Sequence, residues 1–368
     1  MCIRDSIGSL LRPERLMAAR RRLGACEIGS DALAAAEAEA IADAVKMQQA
    51  AGLAAVTDGE FRRASYHSYF YSRLGGRPGD IVIDAVPAVD AADGHGRGAQ
   101  PVARIGSRIA WRGPIHVDDF LRLQAIAGAG AVPKITIPGP CALHFRGGDA
   151  AVTAVAYKDV DAFWSDIVAA FRSELAALAA AGCRYVQIDE TAFAKFGDPD
   201  VQAMLAARGD DWNALIDRYT DVTNAVIRGF PGLAIGMHMC RGNRGGRWHA
   251  RGSYDAVAER LFNRLDIGFY FLEYDSPRAG DFTPLRFVPE HKTIILGLVS
   301  TKTAAMEDID DLRRRVDDAG RFVDPGRLGV SPQCGFASVE TGNPITAEGQ
   351  EAKLRLVVDL ARAIWGTN

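Results

Sequence analysis

The residues best suited to chemistry in this sequence form a soft metal-ligand set. In Gly236–Asn243 (GMHMCRGN), His238 and Cys240 stand two apart at the end of a β-like run, so an extended backbone turns both side chains to one face. Taken alone, the pair equally fits a packed histidine beside a buried free cysteine. Two further β-like runs add to it. Phe269–Asp275 (FYFLEYD) places Glu273 where an apolar strand ends, and Ser331–Phe336 (SPQCGF) places Cys334 at the end of the last one. One imidazole, two thiolates and one carboxylate suit tetrahedral Zn²⁺. The sulfur content argues against Mg²⁺ and Ca²⁺, which take oxygen ligands. A free thiol, with a pKa of about 8.5, is mostly protonated and weakly nucleophilic at neutral pH, and coordination to zinc removes that proton.

Ligands scattered over a hundred residues need a scaffold that gathers strand ends. Short β-rich runs alternate with Ala/Leu-rich helical runs along the chain, the pattern of parallel strands joined by helices. Eight strands are expected, ending near Ser9, Asp58, Pro138, Asp189, His238, Glu273, Val299 and Ser331. Helical patterns cover Asp31–Ala51, Val160–Ala181 and Ala347–Trp365, none with an internal proline. The count favours a (β/α)8 TIM barrel over an open doubly wound sheet, and no GxGxxG or Walker A sequence occurs. The chain reads as a single catalytic domain, 1–368, with one insertion at Gly75–Pro114. There two β-like pieces, Asp80–Val86 and Val102–Arg112, predict a β-hairpin after the second strand, on the face where βα loops gather.

Composition narrows the partners. The 368 residues are 48% hydrophobic, and 43 basic against 46 acidic residues leave a formal charge of -3. Nothing in that balance calls for nucleic acid. Apolar runs fall far short of the roughly 20 residues that span a bilayer, so no membrane association is expected. The start, Met1–Ser6, lacks the apolar core of a signal peptide, and a cytoplasmic location is the expectation. Six cysteines in so long a chain do not form a disulfide scaffold. Cys141 and Cys183 have no ligand-type neighbour at useful spacing and read as packing residues.

The sequence resembles the cobalamin-independent methionine synthase family, in its short single-barrel members and the C-terminal catalytic barrel of the longer ones. The likeness is carried by IGSLLRP (Ile7–Pro13), TDGEFRR (Thr57–Arg63), QIDE (Gln187–Glu190), HMCRGN (His238–Asn243), FLEYD (Phe271–Asp275) and SPQCGF (Ser331–Phe336). It implies a zinc-dependent S-methyltransferase that converts homocysteine to methionine, a step of methionine biosynthesis. His238, Cys240, Glu273 and Cys334 are then the zinc ligands, with the substrate thiol displacing Glu273 or expanding the coordination. Ile7, Ser9, Glu60 and Asp189 match the positions that hold the amino-acid part of homocysteine, carboxylates pairing with an α-ammonium and serine or backbone N–H groups receiving a carboxylate.

The methyl donor stays open: methyltetrahydrofolate, a methylated corrinoid protein or another small methyl compound. A folate methyl group leaves only from a protonated nitrogen. Yet Ser300 stands where the folate enzymes carry a catalytic histidine, and Arg146 where they carry the tryptophan that stacks on the pterin. His67, His144 and His249 remain as candidate acids, Tyr66 and Tyr69 as surfaces for a donor, and Arg62, Arg63 and Arg241 as contacts for an anion. Ser6 replaces a histidine usual in short members, so Met1–Ser6 reads as a replaced or truncated beginning that weakens barrel closure at the first strand. Two other functions compete: alkyl transfer to another thiol such as coenzyme M, and a non-catalytic barrel that binds zinc or an amino acid.

Overall fold

In a computed structural model, residues 4–77, 79–84 and 102–366 are described. Their strands are β1 (Ala55–Val56), β2 (Ile81–Asp84), β3 (Val102–Ile105), β4 (Val132–Pro133), β5 (Ile135–Pro138), β6 (Tyr185–Asp189), β7 (Ala234–Met239), β8 (Phe269–Glu273), β9 (Thr293–Val299) and β10 (Leu328–Pro332). The last six pair in parallel as one sheet, in the order β10-β9-β8-β7-β6-β5. Helices separate most successive strands of this sheet, only short 3-10 turns lying between β8 and β9, so the fold is mixed α/β around a parallel sheet.

The two faces of this sheet differ. Val186, Ile188, Met237, Met239, Tyr270, Leu272, Ile294 and Leu296 point to one side, into the main core under the helices. Tyr185, Phe271 and Ile295 point to the other and form a small second cluster with Ile7 and Ala55. The register sets Asp189 against His238, His238 against Phe271, and Phe271 against Ile295. Because cross-strand partners share a face and side chains alternate, Gln187, Asp189, His238 and Glu273 fall on this second side.

The helices follow from their sequences. Val160–Ala180 starts at Asp159, whose side chain accepts from the N–H of Ala162 at 2.8 Å. Phe163, Ile167, Phe171 and Leu175 recur every fourth residue and are fully buried. Each contributes roughly 1.5–3 kcal/mol of apolar burial. Ser30–Ala51 ends at Gly52 in the left-handed conformation, and Ala347–Trp365 starts at Thr346, whose side chain caps it.

Segments of the N-terminal third meet both edges of the six-stranded sheet. β1 pairs in parallel with β4, and the N–H of Lys134 continues the contact to the Val56 carbonyl at 2.9 Å. At the far edge, Arg4 forms a parallel bridge with Val330 and the N–H of Asp5 donates to the Val330 carbonyl. Around Ser9 the sequence predicts a strand, but the ladder stops at that bridge. Asp5 turns inward to Lys134 Nζ at 2.9 Å and Tyr185 Oη, and Gly8 takes φ 126°, where a Cβ would lie 2.6 Å from Thr136 Cγ2.

β2 and β3 pair antiparallel with each other, burying Ile81, Ala103 and Ile105. β3 is shorter than the sequence suggests, and the expected end of the first piece, at 85–86, falls outside the described residues. Residues 85–101, between the two strands, lie outside the described residues, as do 1–3. No helix among the described residues is long and apolar enough to cross a membrane.

Candidate metal centre and substrate cavity

The ends of β7 and β10 bring three of the expected ligands together. One donor atom each from His238, Cys240 and Cys334 lies within 4.8 Å of the others, and all three residues are buried. The two sulfurs are 3.7 Å apart. A register shift between Ser331 and Pro332, followed by the Gln333 N–H bonding the Val299 carbonyl at 2.8 Å, turns the chain so that Cys334 faces His238. Both ring nitrogens of His238 are buried without a hydrogen-bond partner. A buried polar group left so costs about 1–3 kcal/mol, a cost that a metal ligand does not bear once coordinated. An orphaned imidazole beside two thiols fits Zn²⁺.

Electrostatics point the same way. Contact with Cys334 pulls the Cys240 thiol well below its ordinary pKa against the opposing effect of burial, with His238 helping, while Cys334 is pushed up by the same contact and by burial.

Glu273 is not brought into this group. Its Oε1 accepts from Arg278 at 2.7 Å and Lys302 at 3.3 Å, and its Oε2 from the Arg241 N–H at 2.6 Å. Burial would raise its pKa, but Lys302, Arg278 and Arg241 outweigh burial and hold the carboxylate ionised. Asp275 binds Lys302 as well, at 3.1 Å. Sequence reasoning passed over Lys302, since a single lysine in the STKT loop carries no spacing signal.

Ile7, Ser9, Glu60 and Asp189 line one cavity with His238, Cys240 and Cys334, a space of about 660 Å³ that includes its opening to solvent. Ser9 reaches it because residue 335 is glycine; a Cβ there would sit 1.9 Å from Ser9 Oγ. Glu60 has φ 60°, unusual for a residue with a side chain. Its N–H bonds Asp58 Oδ1 at 2.9 Å and its Oε1 accepts from Thr136 at 2.8 Å, leaving Oε2 buried and unpartnered. Asp189 accepts from Gln187 at 2.7 Å, and burial lifts its pKa to about 7, with His238 opposing and Glu60 adding to the rise.

The same cavity is lined by Tyr66, His67, Arg146 and His249, and by two residues absent from the sequence reading, Lys195 and Arg244. His144 packs elsewhere, its nitrogens facing Tyr219 and Asp149. Tyr69 stacks on His116. The three arginines expected to meet an anion have other occupations. Arg62 pairs with Glu37 and Asp119, and Arg63 bonds Thr136. Arg241 lies over Tyr254 and donates to the Gly252 carbonyl at 2.8 Å. Ser300 donates to Asp275 at 2.8 Å. Cys141 and Cys183 are buried away from the cavity, as their spacing suggests.

Residues 99–363 match the family model described as "Cobalamin-independent synthase, Catalytic domain". The chain is 37% identical over 363 residues to the uncharacterized protein YxjH of Bacillus subtilis, covering 98% of this chain and 94% of that one. It is 22% identical to the methionine synthase of Pyrococcus furiosus over 90% of this chain and 85% of the relative. Among solved structures it resembles a putative vitamin-B12-independent methionine synthase from Listeria monocytogenes, with a TM-score of 0.74 and 30% identity, covering 99% of this chain and 98% of the other. A B12-independent methionine synthase from a Shewanella species has a TM-score of 0.75 at 19% identity, a likeness of fold.

Proposed function

Because the chain belongs to the cobalamin-independent methionine synthase family through its catalytic domain, we propose that it is a zinc-dependent S-methyltransferase making methionine from homocysteine. One observation carries this reading: the donors of His238, Cys240 and Cys334 lie within 4.8 Å of one another and open on the cavity lined by Ser9, Glu60 and Asp189. His238, Cys240 and Cys334 would hold the ion, with Glu273, now bonded to Arg278, Lys302 and the Arg241 N–H, as the candidate fourth ligand. A bound zinc ion keeps a thiol deprotonated at neutral pH.

The protein's own residues do the rest. Glu60 Oε2 and Asp189 receive the substrate ammonium, and Ser9 and the backbone at Ile7 receive its carboxylate. The thiolate sulfur then attacks the methyl carbon in line, the carbon–sulfur bond forms as the bond to the donor breaks, and the electron pair leaves with the donor. The scaffold belongs to the same proposal: β1, the Arg4–Ser9 segment and the six-stranded sheet close one (β/α)8 barrel as a single domain, with the β2–β3 pair inserted after the second strand. The location that suits reduced ligand thiols is the cytoplasm.

The test is an assay of the zinc-supplied chain with homocysteine and, in turn, methyltetrahydrofolate, its polyglutamate and methylcobalamin, reading methionine. Formation of methionine from at least one donor, abolished in Cys240→Ser, is the expected result. No methionine from any of them, with another thiol such as coenzyme M methylated instead, would replace homocysteine as the acceptor.

A further inference from the structure

A separate part of the cavity lining is basic, and the methyl acceptor does not account for it. Arg146, Lys195 and Arg244 all line the space. The Arg146 Nη2 donates to Tyr66 Oη at 3.0 Å, but its Nε and Nη1 are buried with no partner. Lys195 is 2% exposed and rests against the Phe145 ring at 5.2 Å. Among the described residues no carboxylate forms an ion pair with any of the three. Burial, then Arg146, push the Lys195 ammonium down to about 7, against the Cys240 thiol and the Glu190 carboxylate, and Glu190 already accepts from the N–H groups of Cys141 at 2.9 Å and Ala192 at 3.1 Å.

The three cations converge on one place. After burial, the groups that hold the His67 imidazole below its ordinary pKa are Arg146, Arg244 and Lys195. Collecting cations in a partly desolvated pocket is costly unless an opposite charge joins them. A buried arginine whose Nε and Nη1 are both unpartnered, on two edges of its guanidinium, can donate charge-assisted hydrogen bonds to the oxygens of a carboxylate or phosphate.

We infer that Arg146, Lys195 and Arg244 form an oxyanion subsite that docks a carboxylate or phosphate group of the methyl donor beside the thiol. The donor is thereby held through charge at the position where a stacked aromatic is absent. Assignment of the anion to the donor rests on the function proposed above. Anion binding itself is measured without homocysteine, so the two ideas can fail separately.

The experiment is calorimetric titration of the zinc-supplied full chain, in a buffer free of oxyanions, with inorganic phosphate and with glutarate. One anion bound per chain is expected, and the tighter of the two probes identifies the group. Arg146→Gln and Lys195→Gln should each weaken it by about tenfold or more, Arg146→Lys by less, with the homocysteine affinity of all three variants close to wild type. The Arg146→Lys variant keeps the charge and guards against a merely unfolded Arg146→Gln. Absence of binding by either anion, or equal binding in wild type and variants, would overturn the subsite. A parallel loss of homocysteine affinity would assign the cations to the amino acid's own carboxylate and overturn the donor assignment.

Discussion

Glu60 keeps a left-handed backbone conformation at φ 60° and a buried, unpartnered Oε2 in a cavity wall. Such a conformation costs a non-glycine residue of order 1–3 kcal/mol and persists where the surroundings hold it for a purpose. In the function proposed above, the substrate ammonium would satisfy the free oxygen through a charge-assisted hydrogen bond. Glu60→Gln removes the charge and keeps the shape, so the homocysteine dissociation constant should rise about tenfold or more, in line with roughly 1.5–3 kcal/mol for such a bond. Zinc content should not change, since residue 60 holds no metal. Calorimetry with parallel metal analysis checks both, and an unchanged constant would remove Glu60 from substrate binding. Glu273 illustrates the opposite situation, a carboxylate whose two oxygens are already claimed by Arg278, Lys302 and the Arg241 N–H.

The element that carries Cys334 also decides where Ser9 can go. Gly335 follows Cys334 directly, and the 1.9 Å that a Cβ would leave to Ser9 Oγ forces the Ser9 hydroxyl to rotate away or the segments to part. Gly335→Ala is therefore expected to weaken homocysteine binding by about tenfold and to lower the melting temperature by several degrees, a change of about 1–3 kcal/mol from overpacking. A variant with wild-type melting and affinity would mean that Ser9 does not need this approach.

Much of this element-level arrangement was legible in advance. Strand ends at Pro138, Asp189, Glu273 and Val299 fall where apolar runs stop, because alternation and chain punctuation are local signals. His238 and Cys240 could be paired from their spacing, and the family motifs added Ser9, Glu60 and Asp189 to one cavity. Lys302 on Glu273, Lys195 and Arg244 beside Arg146, and the inward turn at Asp5–Gly8 were not legible. Each depends on which loops meet over the sheet, and a lone lysine or glycine carries no record of its distant partner.

At the scale of the molecule, the cavity is assembled from the N-terminal segment at Ser9, the loop after β1 at Glu60, β6 at Asp189, β7 at His238 and the turn after β10 at Cys334. Arg4 and Asp5 tie the first of these to β10, and β1 pairs with β4, just ahead of β5 in the chain. In the proposed function this framework presents a zinc ion on two cysteine sulfurs to the thiol of homocysteine. Zinc K-edge X-ray absorption of the zinc-loaded chain, with and without homocysteine, tests it most directly. Two sulfur ligands, from Cys240 and Cys334, are expected in the free protein and a third when homocysteine is added. Failure of the chain to hold one zinc per molecule, or a sulfur count that stays at two with homocysteine bound, would contradict it.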